Sequence, residues 1–244
     1  MTCIVLAAGY ATRMYPLTMN FPKPLLEVGG KPILDWLCDD IASCNVENFV
    51  IISNHKFYEH FASWAKNRTN TVVLDDGSMD NDSRLGAVKD IEFAIETLKL
   101  DDDLLVIAGD NVLDFSFAPF LNYFKDKQTT CIMRYFIPNI KGPCKYGICT
   151  IGDNDKVVKM VEKPLEPESP WAVPPFYIYK KADIGLFKEG IEGGCGTDAP
   201  GSFIEWLCKQ TTVHAMEMPG QRYDVGSIEG YEKIKKEYRG ITRG

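Results

Sequence analysis

The sequence of 244 residues has few of the features that several common kinds of site require. Its 3 histidines show no metal-ligand spacing and its 8 cysteines form no C-x-x-C pair, so a zinc site is not expected. No apolar run is long enough for a signal peptide or a membrane span. Basic residues number 27 against 34 acidic ones, and the net charge of −7 disfavours non-specific binding of nucleic acid or of an anionic membrane.

Two nucleotide-binding motifs are also missing. The pattern G-x-x-x-x-G-K-[ST] does not occur, which argues against a P-loop kinase. The pattern G-x-G-x-x-G fails because Gly9 is followed by Tyr10 and Ala11. An anionic substrate must therefore be attracted by a few placed cations.

The composition is that of an ordinary globular protein, with 45% hydrophobic and 25% charged residues. Disulfide frameworks are typical of short secreted chains, so we interpret the cysteines as reduced thiols. We therefore expect a cytoplasmic protein, with no nucleic-acid or membrane partner. We also expect no added allosteric or acyltransferase domain.

Strand-like and helix-like segments alternate along the first half. Strands are predicted at 3–6, 49–52, 71–74 and 104–108, and in the second half at 129–136, 147–151, 157–161, 173–179 and 213–218. Helices are predicted from Pro32, over 57–66, over 86–98, from a capping box at Ser202 to Glu205, and from Ser227. This order predicts an α/β fold, a three-layer αβα sandwich with a mixed, mostly parallel central sheet. Ligands of such sheets bind at the carboxyl ends of the strands.

A loop of small residues follows the first predicted strand, in the order Leu6-Ala7-Ala8-Gly9-Tyr10-Ala11-Thr12-Arg13. Small side chains let backbone N–H groups approach phosphate oxygens, and Arg13 adds a guanidinium group. Prolines on both sides present Lys23 at a fixed place. The loop suits an anion, although a tight turn with two solvated charges would explain the same residues.

Two aspartates are candidate metal ligands. Asp110 follows the buried strand 104–108, where a carboxylate needs a cation, and Asp224 precedes the last predicted helix. If both faced one pocket, their repulsion of about 4 kcal/mol at 4 Å would be reversed by a bound Mg²⁺. A turn residue and a helix-entry residue are the alternative interpretations.

Taken together, these segments resemble the sugar-1-phosphate nucleotidylyltransferase family. LAAGYATRMYPLT and FPKPLLEVGGKPIL, within residues 4–34, are similar to its L-A-G-G-x-G-T-R-L-x-P-L-T and P-K-x-L-x-x-V-x-x-K-P. Gly109-Asp110 resembles its G-D motif, and Asp224-Val225-Gly226-Ser227 resembles its D-x-G-[ST] motif. VEKPLEPESPWAV resembles its V-E-K-P segment, and Tyr146-Gly147 its Y-G.

The resemblance implies a Rossmann-like nucleotidyltransferase fold in one domain, residues 1–244. Within it we expect a nucleotide-binding half at 1–115 and a sugar-phosphate-binding half at 116–244. The implied reaction is Mg²⁺-dependent transfer of a nucleotidyl group from a nucleoside triphosphate to a sugar 1-phosphate, with release of pyrophosphate. The implied partners are that triphosphate and a phosphorylated acceptor, with a homo-oligomer as a possibility.

The family's residue roles carry over to matching positions. Arg13 is expected to hold the departing pyrophosphate and Lys23 to bridge the α-phosphate and the acceptor phosphate. Asp110 and Asp224 are expected to hold Mg²⁺. The nucleotide-binding residues are then Leu6, Ala7, Ala8, Gly9, Thr12 and Gly86. The sugar-phosphate-binding residues are Tyr146, Gly147, Glu162 and Lys163, although an exposed ion pair is the simpler interpretation of the last two on their own.

Three departures from the family pattern affect the pockets. Ala11 replaces a usual glycine; because alanine still permits a close approach if its φ is negative, we expect a slightly altered loop and no loss of binding. The segment 80–87 lacks the usual base-reading glutamine, and Pro174-Pro175 stand where glycine is common. Neither the base nor the sugar is therefore assigned.

Other functions remain as alternatives. One is a cytidylyltransferase acting on phosphocholine or a phosphonate, with an aromatic box from Trp171, Phe176 and Tyr177. Another is a non-catalytic sugar-nucleotide-binding subunit, which we would expect to have lost Arg13, Lys23 or a metal aspartate. A glycosyltransferase is disfavoured because the acidic run 101–103 precedes its strand instead of following it.

Overall fold

The computed structural model describes residues 1–223 and 225–242; Asp224, Arg243 and Gly244 lie outside the described residues. The predicted role of Asp224 therefore falls on a position without a structural description. Within the described part, no helix combines the length and apolarity that a membrane crossing needs. All eight cysteines are free thiols, as predicted.

The secondary structure follows the predicted alternation. The strands are β1 (Thr2–Leu6), β2 (Glu27–Val28), β3 (Lys31–Pro32), β4 (Asn48–Ser53), β5 (Thr71–Asp75), β6 (Leu104–Ala108), β7 (Val112–Leu113), β8 (Thr130–Phe136), β9 (Gly147–Ile151), β10 (Val157–Val161), β11 (Trp171–Val173), β12 (Phe176–Tyr179), β13 (Val213–Glu217) and β14 (Arg222–Tyr223). The α-helices are α1 (Ile33–Ser43), α2 (Tyr58–Ala65), α3 (Ala87–Leu98), α4 (Ala118–Lys127), α5 (Lys181–Ile184), α6 (Leu186–Glu192), α7 (Pro200–Leu207) and α8 (Ile228–Glu237).

The chain divides into two compact units. The first unit comprises Thr2–Arg84, Ala108–Pro119 and Pro219–Gly244, and the second comprises Met1, Leu85–Ile107 and Phe120–Met218. Each unit therefore draws on separate stretches of the chain. The expected division into halves at 1–115 and 116–244 stays a prediction.

The first unit contains a parallel ladder of β1, β4 and β5. Ile4 pairs with Val50, and Ile51 pairs with Val73. Most side chains of β1 and β4 are buried, which explains why these strands read as unbroken apolar runs. Because the strands are parallel, Leu6 and Ser53 end at the same edge, and the loops that follow them lie side by side.

The second unit is richer in antiparallel pairs, as its strand-dense sequence suggested. Its ladders join β6 to β12, β12 to β8, β8 to β11, β11 to β9 and β9 to β10, all antiparallel. Strand β13 adds to β8 in parallel. The strand pairs of the two units are thus partly parallel and partly antiparallel, as predicted for a mixed sheet.

Several local predictions were wrong. The strand expected at 173–179 is two strands, β11 and β12, because Pro174 and Pro175 interrupt it. The capping box at Ser202 does not form: α7 begins at Pro200, and the Glu205 side chain instead accepts a hydrogen bond from the Glu162 N–H. Pro32 precedes α1 as its cap residue instead of opening it.

Helix α8 begins as predicted, with Ser227 as its cap. The Ser227 Oγ accepts a hydrogen bond from the Gly230 N–H at 3.1 Å. The helix packs Tyr231 and Ile234 into a core cluster with Val225. This contact anchors the last part of the first unit.

Replacing that cap tests how much it contributes. We expect Ser227→Ala to lower the free energy of unfolding by about 1 kcal/mol, because the Gly230 N–H loses its acceptor. Urea denaturation followed by circular dichroism measures the change. Ser227→Asp keeps an acceptor oxygen and serves as the control, so equal losses in both variants would contradict the capping role.

Candidate active site

The phosphate-type loop follows β1 and leaves its backbone uncovered at one point. A Cβ added at Gly9 would meet no atom within 4 Å, so nothing in the described residues covers the backbone there. Thr12 to Met14 form a single 3-10 turn, with Thr12 and Arg13 exposed. The Arg13 guanidinium forms no ion pair with the described residues, which leaves it available to an anion.

Side chains from neighbouring loops hold this loop in place. Asn54 is fully buried; its Nδ2 donates to the Ala8 carbonyl at 3.0 Å and its Oδ1 accepts from the Phe57 N–H at 2.9 Å. The Tyr10 hydroxyl donates to the Ser78 carbonyl at 3.0 Å. Sequence analysis missed Asn54 and Tyr10. The position of Asn54, directly after a buried strand adjacent to β1, was the signal that could have found it.

Ala11 adopts the conformation that the family's glycine would favour. Its φ and ψ are 46° and 43°, in the left-handed region, so the negative φ that the expectation for this loop assumed does not occur. The Thr18 Oγ1 donates to the Ala11 carbonyl at 2.8 Å, and the Met14 N–H donates to the same oxygen at 2.9 Å. These two hydrogen bonds help to hold a conformation that costs an L-residue about 1–2 kcal/mol.

Lys23 and Asp110 form an ion pair in the first unit. The Lys23 Nζ lies 2.8 Å from the Asp110 Oδ2, and Lys23 is only 9% exposed. Although burial alone would raise the pKa of the Asp110 carboxyl, the nearby Lys23 ammonium lowers it below its ordinary value, with a further contribution from Arg222. Asp110 is therefore ionised at neutral pH. The structure thus brings together two of the residues to which the sequence assigned chemistry.

A divalent cation would find one carboxylate here. The Asp110 side chain remains 43% exposed, and its Oδ1 lies 3.5 Å from the Asn111 Nδ2. Over residues 1–223 and 225–242, no group of three or more acidic, histidine or cysteine side chains could hold a metal ion. Mg²⁺ commonly takes one or two carboxylates together with substrate phosphates. Asp110 fits such an ion as a single protein ligand from the described residues.

In the second unit, Gly86 supports backbone contacts. Its φ is +92°, and an added Cβ would lie 2.5 Å from the Thr197 carbonyl oxygen. The two residues after it donate their N–H groups to the Asp198 and Thr197 carbonyls. Glycine is required here because the start of α3 touches the backbone at 197–198. Its predicted contact with a nucleobase stays a prediction.

Glu162 lies in a niche between β9 and α7. A Cβ added at Gly147 would lie 2.8 Å from its Oε2, and one added at Gly201 would overlap the same oxygen. Burial raises the pKa of Glu162 to about 7, Lys163 lowers it, and Glu205 and Asp198 raise it further. Its carboxylate accepts no hydrogen bond from the described residues. Glu162 is therefore partly protonated near neutral pH.

Lys163 forms its ion pair with Asp198 and not with the neighbouring Glu162. Its Nζ forms an ion pair with the Asp198 Oδ2 at 2.9 Å, and both side chains are about half exposed. Exposed pairs of this kind contribute little, so an incoming anion can compete for the ammonium. Lys163 and the start of α3 thus contact the same loop at 197–198.

A cavity of about 620 Å³ in the second unit includes these side chains. The charged side chains in its lining are those of Glu162, Lys163, Asp198, Glu205 and Lys209. Neither Tyr146 nor Gly147 is part of its lining. The Tyr146 ring instead packs edge-on against Tyr135 at 6.1 Å, next to a small core cluster.

The aromatic box proposed for a quaternary amine does not form. Phe176 and Tyr177 are 0% and 3% exposed, inside β12. Trp171 contacts the Arg134 guanidinium at 4.7 Å and the Phe136 ring at 5.4 Å. Two of the three aromatic residues are therefore core residues.

Comparison with known proteins identifies the family of the chain. A family model described as nucleotidyl transferase matches residues 2–240. The chain belongs to the nucleotidyl transferase family. The resemblance found in the loop, G-D and V-E-K-P segments is thereby confirmed at the level of the family.

Relatives of this nucleotidyl transferase family member cover almost all of its length. A protein of Sulfolobus acidocaldarius, provisionally named a mannose-1-phosphate guanyltransferase, is 28% identical over 97% of this chain and 62% of its own. The bifunctional protein GlmU of Methanocaldococcus jannaschii is 28% identical over 93% of this chain and 51% of its own. The chain thus spans between half and two thirds of the length of these two relatives. UTP–glucose-1-phosphate uridylyltransferase AglF of Haloferax volcanii is 24% identical, over 97% of this chain and 96% of its own.

The fold is likewise that of known nucleotidyltransferase structures. UDP-glucose pyrophosphorylase in complex with UDP-glucose has a TM-score of 0.82 with this chain at 20% identity, covering 97% of each. This likeness confirms the predicted α/β class, a mixed central sheet flanked by helices with a Rossmann-like topology.

The left-handed Ala11 leads to a stability prediction. We expect Ala11→Gly to raise the free energy of unfolding by about 0.5 kcal/mol, because relief of the left-handed strain exceeds the extra entropy of glycine in the unfolded chain. Urea denaturation measures it. The control Ala62→Gly lies within α2 and should destabilise by about 1 kcal/mol. A loss of stability in Ala11→Gly as large as in the control would refute the argument.

The raised pKa of Glu162 leads to a pH prediction with a definite sign. The unfolded chain ionises Glu162 near 4.5 and the folded chain near 7, so the wild type loses stability as pH rises between these values. Glu162→Gln cannot ionise, so we expect it to gain about 1–2 kcal/mol relative to the wild type between pH 5 and 8. Urea denaturation at pH 5 and at pH 8 measures the difference in the free energy of unfolding between the two proteins.

The matched control for this titration is Glu189→Gln, which removes an exposed carboxylate from the neighbouring helix α6. Its stability should follow the wild type across the same pH range. Parallel pH dependence in the wild type and Glu162→Gln would show that the carboxyl titrates as it does in water.

Proposed function

We propose that this protein transfers a nucleotidyl group from a nucleoside triphosphate to a sugar 1-phosphate, forming a nucleotide sugar and releasing pyrophosphate. Family membership supports the reaction class. The names of the relatives, which include a glucose-1-phosphate uridylyltransferase and a mannose-1-phosphate guanyltransferase, support a sugar 1-phosphate as the acceptor.

The observation that carries the proposal is the Lys23–Asp110 pair beside an uncovered small-residue loop. An ammonium 2.8 Å from an ionised carboxylate gives the first unit one cation and one potential cation ligand at the end of buried strand β6. Arg13, which is exposed and forms no ion pair with the described residues, adds a guanidinium on the loop that follows β1. Together these groups suit a polyphosphate.

The chemistry asks for charge stabilisation and not for a base. The acceptor phosphate is already an anion, so its oxygen can attack the α-phosphorus in line without losing a proton. Lys23 bridges the α-phosphate and the acceptor phosphate, and Arg13 holds the departing pyrophosphate. The second unit's Lys163 exchanges Asp198 for the acceptor phosphate, and Glu162 accepts hydrogen bonds from sugar hydroxyls.

The family implies a divalent metal, for which Mg²⁺ is the proposed ion. When bound, Mg²⁺ neutralises charge on the α-phosphate and orients it. Asp110 is the proposed ligand from the described residues, and Asp224 is proposed from its motif alone. Lys23 keeps Asp110 ionised, so the carboxylate is ready for a cation at neutral pH.

The remaining nucleotide and acceptor contacts are part of the proposal as well. Small residues of the loop, Leu6, Ala7, Ala8, Gly9 and Thr12, are proposed to present backbone N–H groups to the triphosphate, and Gly86 to lie against the base. Gly147 is proposed to act on the acceptor side by making room for Glu162. Cytoplasmic location and a possible homo-oligomer stay predictions of the sequence.

The alternatives have less support. A cytidylyltransferase of this kind would need the aromatic box, but Phe176 and Tyr177 are buried core residues. A non-catalytic subunit would have no need of Arg13, which is exposed and forms no ion pair with the described residues, or of the Lys23–Asp110 pair.

The deciding experiment is a screen of each nucleoside triphosphate against a panel of sugar 1-phosphates, phosphocholine and a phosphonate, with Mg²⁺. Pyrophosphate release that requires both substrates supports nucleotidyl transfer and identifies the pair. Release with phosphocholine but no sugar phosphate would replace the proposed acceptor. If no pair of substrates gave pyrophosphate release, the proposed function would be contradicted.

Two substitutions test the assigned roles. We expect Arg13→Ala and Asp110→Asn each to lower kcat/KM by about a hundredfold or more, because a preorganised charge in the transition state is worth about 3 kcal/mol. Coupled pyrophosphate detection measures the rates, and Lys56→Ala, an exposed cation elsewhere in the first unit, is the control. Near-normal turnover in either test variant would defeat the assignment of that residue.

A further inference from the structure

The corner that carries Glu162 and Lys163 has an unfavourable backbone conformation. Strand β10 ends at Val161, and two residues later Lys163 adopts a φ of +49° immediately before Pro164. A left-handed conformation is costly for any residue other than glycine. Contacts from outside the corner must therefore hold it.

Helix α7 supplies those contacts from one face. Gly201 and Glu205 are four residues apart, so they lie on the same side of the helix. The Glu205 Oε2 accepts a hydrogen bond from the Glu162 N–H at 2.9 Å. Helix α7 thus binds the main chain of the corner directly.

The same face makes room for the Glu162 side chain. Gly201 is buried, and a Cβ there would overlap the Glu162 Oε2. Gly201 is the second residue of α7, and the absence of a side chain there leaves the space that the carboxylate occupies. Gly147 does the same from the opposite side, where a Cβ would lie 2.8 Å from that oxygen. The carboxylate is therefore positioned by shape and not by hydrogen bonds from the described residues.

A carboxylate held in this way keeps its hydrogen-bonding capacity for a ligand. Every hydrogen bond that a protein group gave to Glu162 would have to be broken or shared when a hydroxyl-bearing ligand arrived. Its niche opens on the cavity of about 620 Å³ that also includes Glu205. The carboxylate that lines this cavity is therefore held in place, and it accepts no hydrogen bond from the described residues.

We propose that Gly201 and Glu205 form a positioning face on helix α7 that orients Glu162 and so sets the affinity for the phosphorylated acceptor. This inference rests on the proposed function, because the acceptor role belongs to Glu162. Glu205 acts through the Glu162 main chain, and Gly201 acts through its side chain. Neither residue needs to touch the acceptor.

The test separates the two substrates of the reaction. Glu205→Leu removes the acceptor of the Glu162 N–H, whereas Glu205→Gln keeps an oxygen that can replace it. We expect Glu205→Leu to raise the KM for the sugar phosphate about tenfold or more, while the KM for the triphosphate stays within about twofold. Glu205→Gln should recover most of the acceptor affinity. The control Glu189→Gln, on α6, should leave both values unchanged.

Gly201→Ala tests the side-chain contact in the same way. The added methyl group displaces the Glu162 carboxylate, so the KM for the sugar phosphate should again rise selectively. Thermal denaturation of every variant reports on folding. Unchanged acceptor KM in Glu205→Leu and Gly201→Ala, or an equal rise for both substrates, would overturn the proposal even if both variants were less stable.

A second readout does not depend on turnover. Titration of the Glu162 carboxyl by carbon-13 NMR should give a lower pKa in Glu205→Gln than in the wild type, because one neighbouring negative charge is gone. Lys163, Asp198 and Tyr177 also face this carboxyl and are the same in both proteins. Glu189→Gln should titrate as the wild type does.

The two readouts distinguish the possible failures. A wild type without activity on any substrate pair would reject the proposed function. If the pKa of Glu162 were still lower in Glu205→Gln, the contact between helix α7 and Glu162 would stand. An active wild type whose Glu162 titrates identically in Glu205→Gln, together with an unchanged acceptor KM in Glu205→Leu and Gly201→Ala, would reject the positioning role alone.

Discussion

The first unit depends on the ion pair between a buried cation, Lys23, and a carboxylate, Asp110. Lys23 is almost wholly removed from water, and Asp110 follows a strand whose side chains are mostly buried. The Lys23 ammonium alone would be costly there, and its 2.8 Å ion pair with the Asp110 carboxylate offsets that cost. The pair joins two loops 87 residues apart in sequence. The Gly109 N–H also donates to the Leu6 carbonyl at 3.0 Å, so the residue before Asp110 contacts the start of the phosphate-type loop.

Glu162 in the second unit shows what happens when a carboxylate has no such partner at hydrogen-bond distance. Burial and two other carboxylates raise its pKa to about 7, while Lys163 is engaged with Asp198. Asp110 is thus held as an anion suited to a cation, and Glu162 is held close to its own protonation equilibrium. One chain therefore gives two carboxylates opposite properties through their neighbours, as separate roles in phosphate and hydroxyl binding would require.

Particular residues show where sequence reasoning succeeded and where it failed. Apolar runs located β1, β4 and β6, and Ser227 was correctly identified as a cap, because burial and capping act over a few neighbouring residues. Glu205 matched the spacing of a capping box but bonds to Glu162, 43 residues away, so a tertiary contact overrode the local pattern. The expectation for the loop assumed a negative φ at Ala11, yet hydrogen bonds to its carbonyl oxygen help to hold the left-handed form.

The sequence by itself determined the α/β class, the family and the residue types available for phosphate chemistry, because these follow from local periodicity and from motifs that are contiguous along the chain. Only the tertiary structure decided that Lys23 meets Asp110, that Asn54 supports the loop and that Gly201 and Glu205 surround Glu162. Such contacts join residues far apart in the chain. Their hydrogen bonds, burial and pKa shifts arise from distances that no stretch of sequence contains.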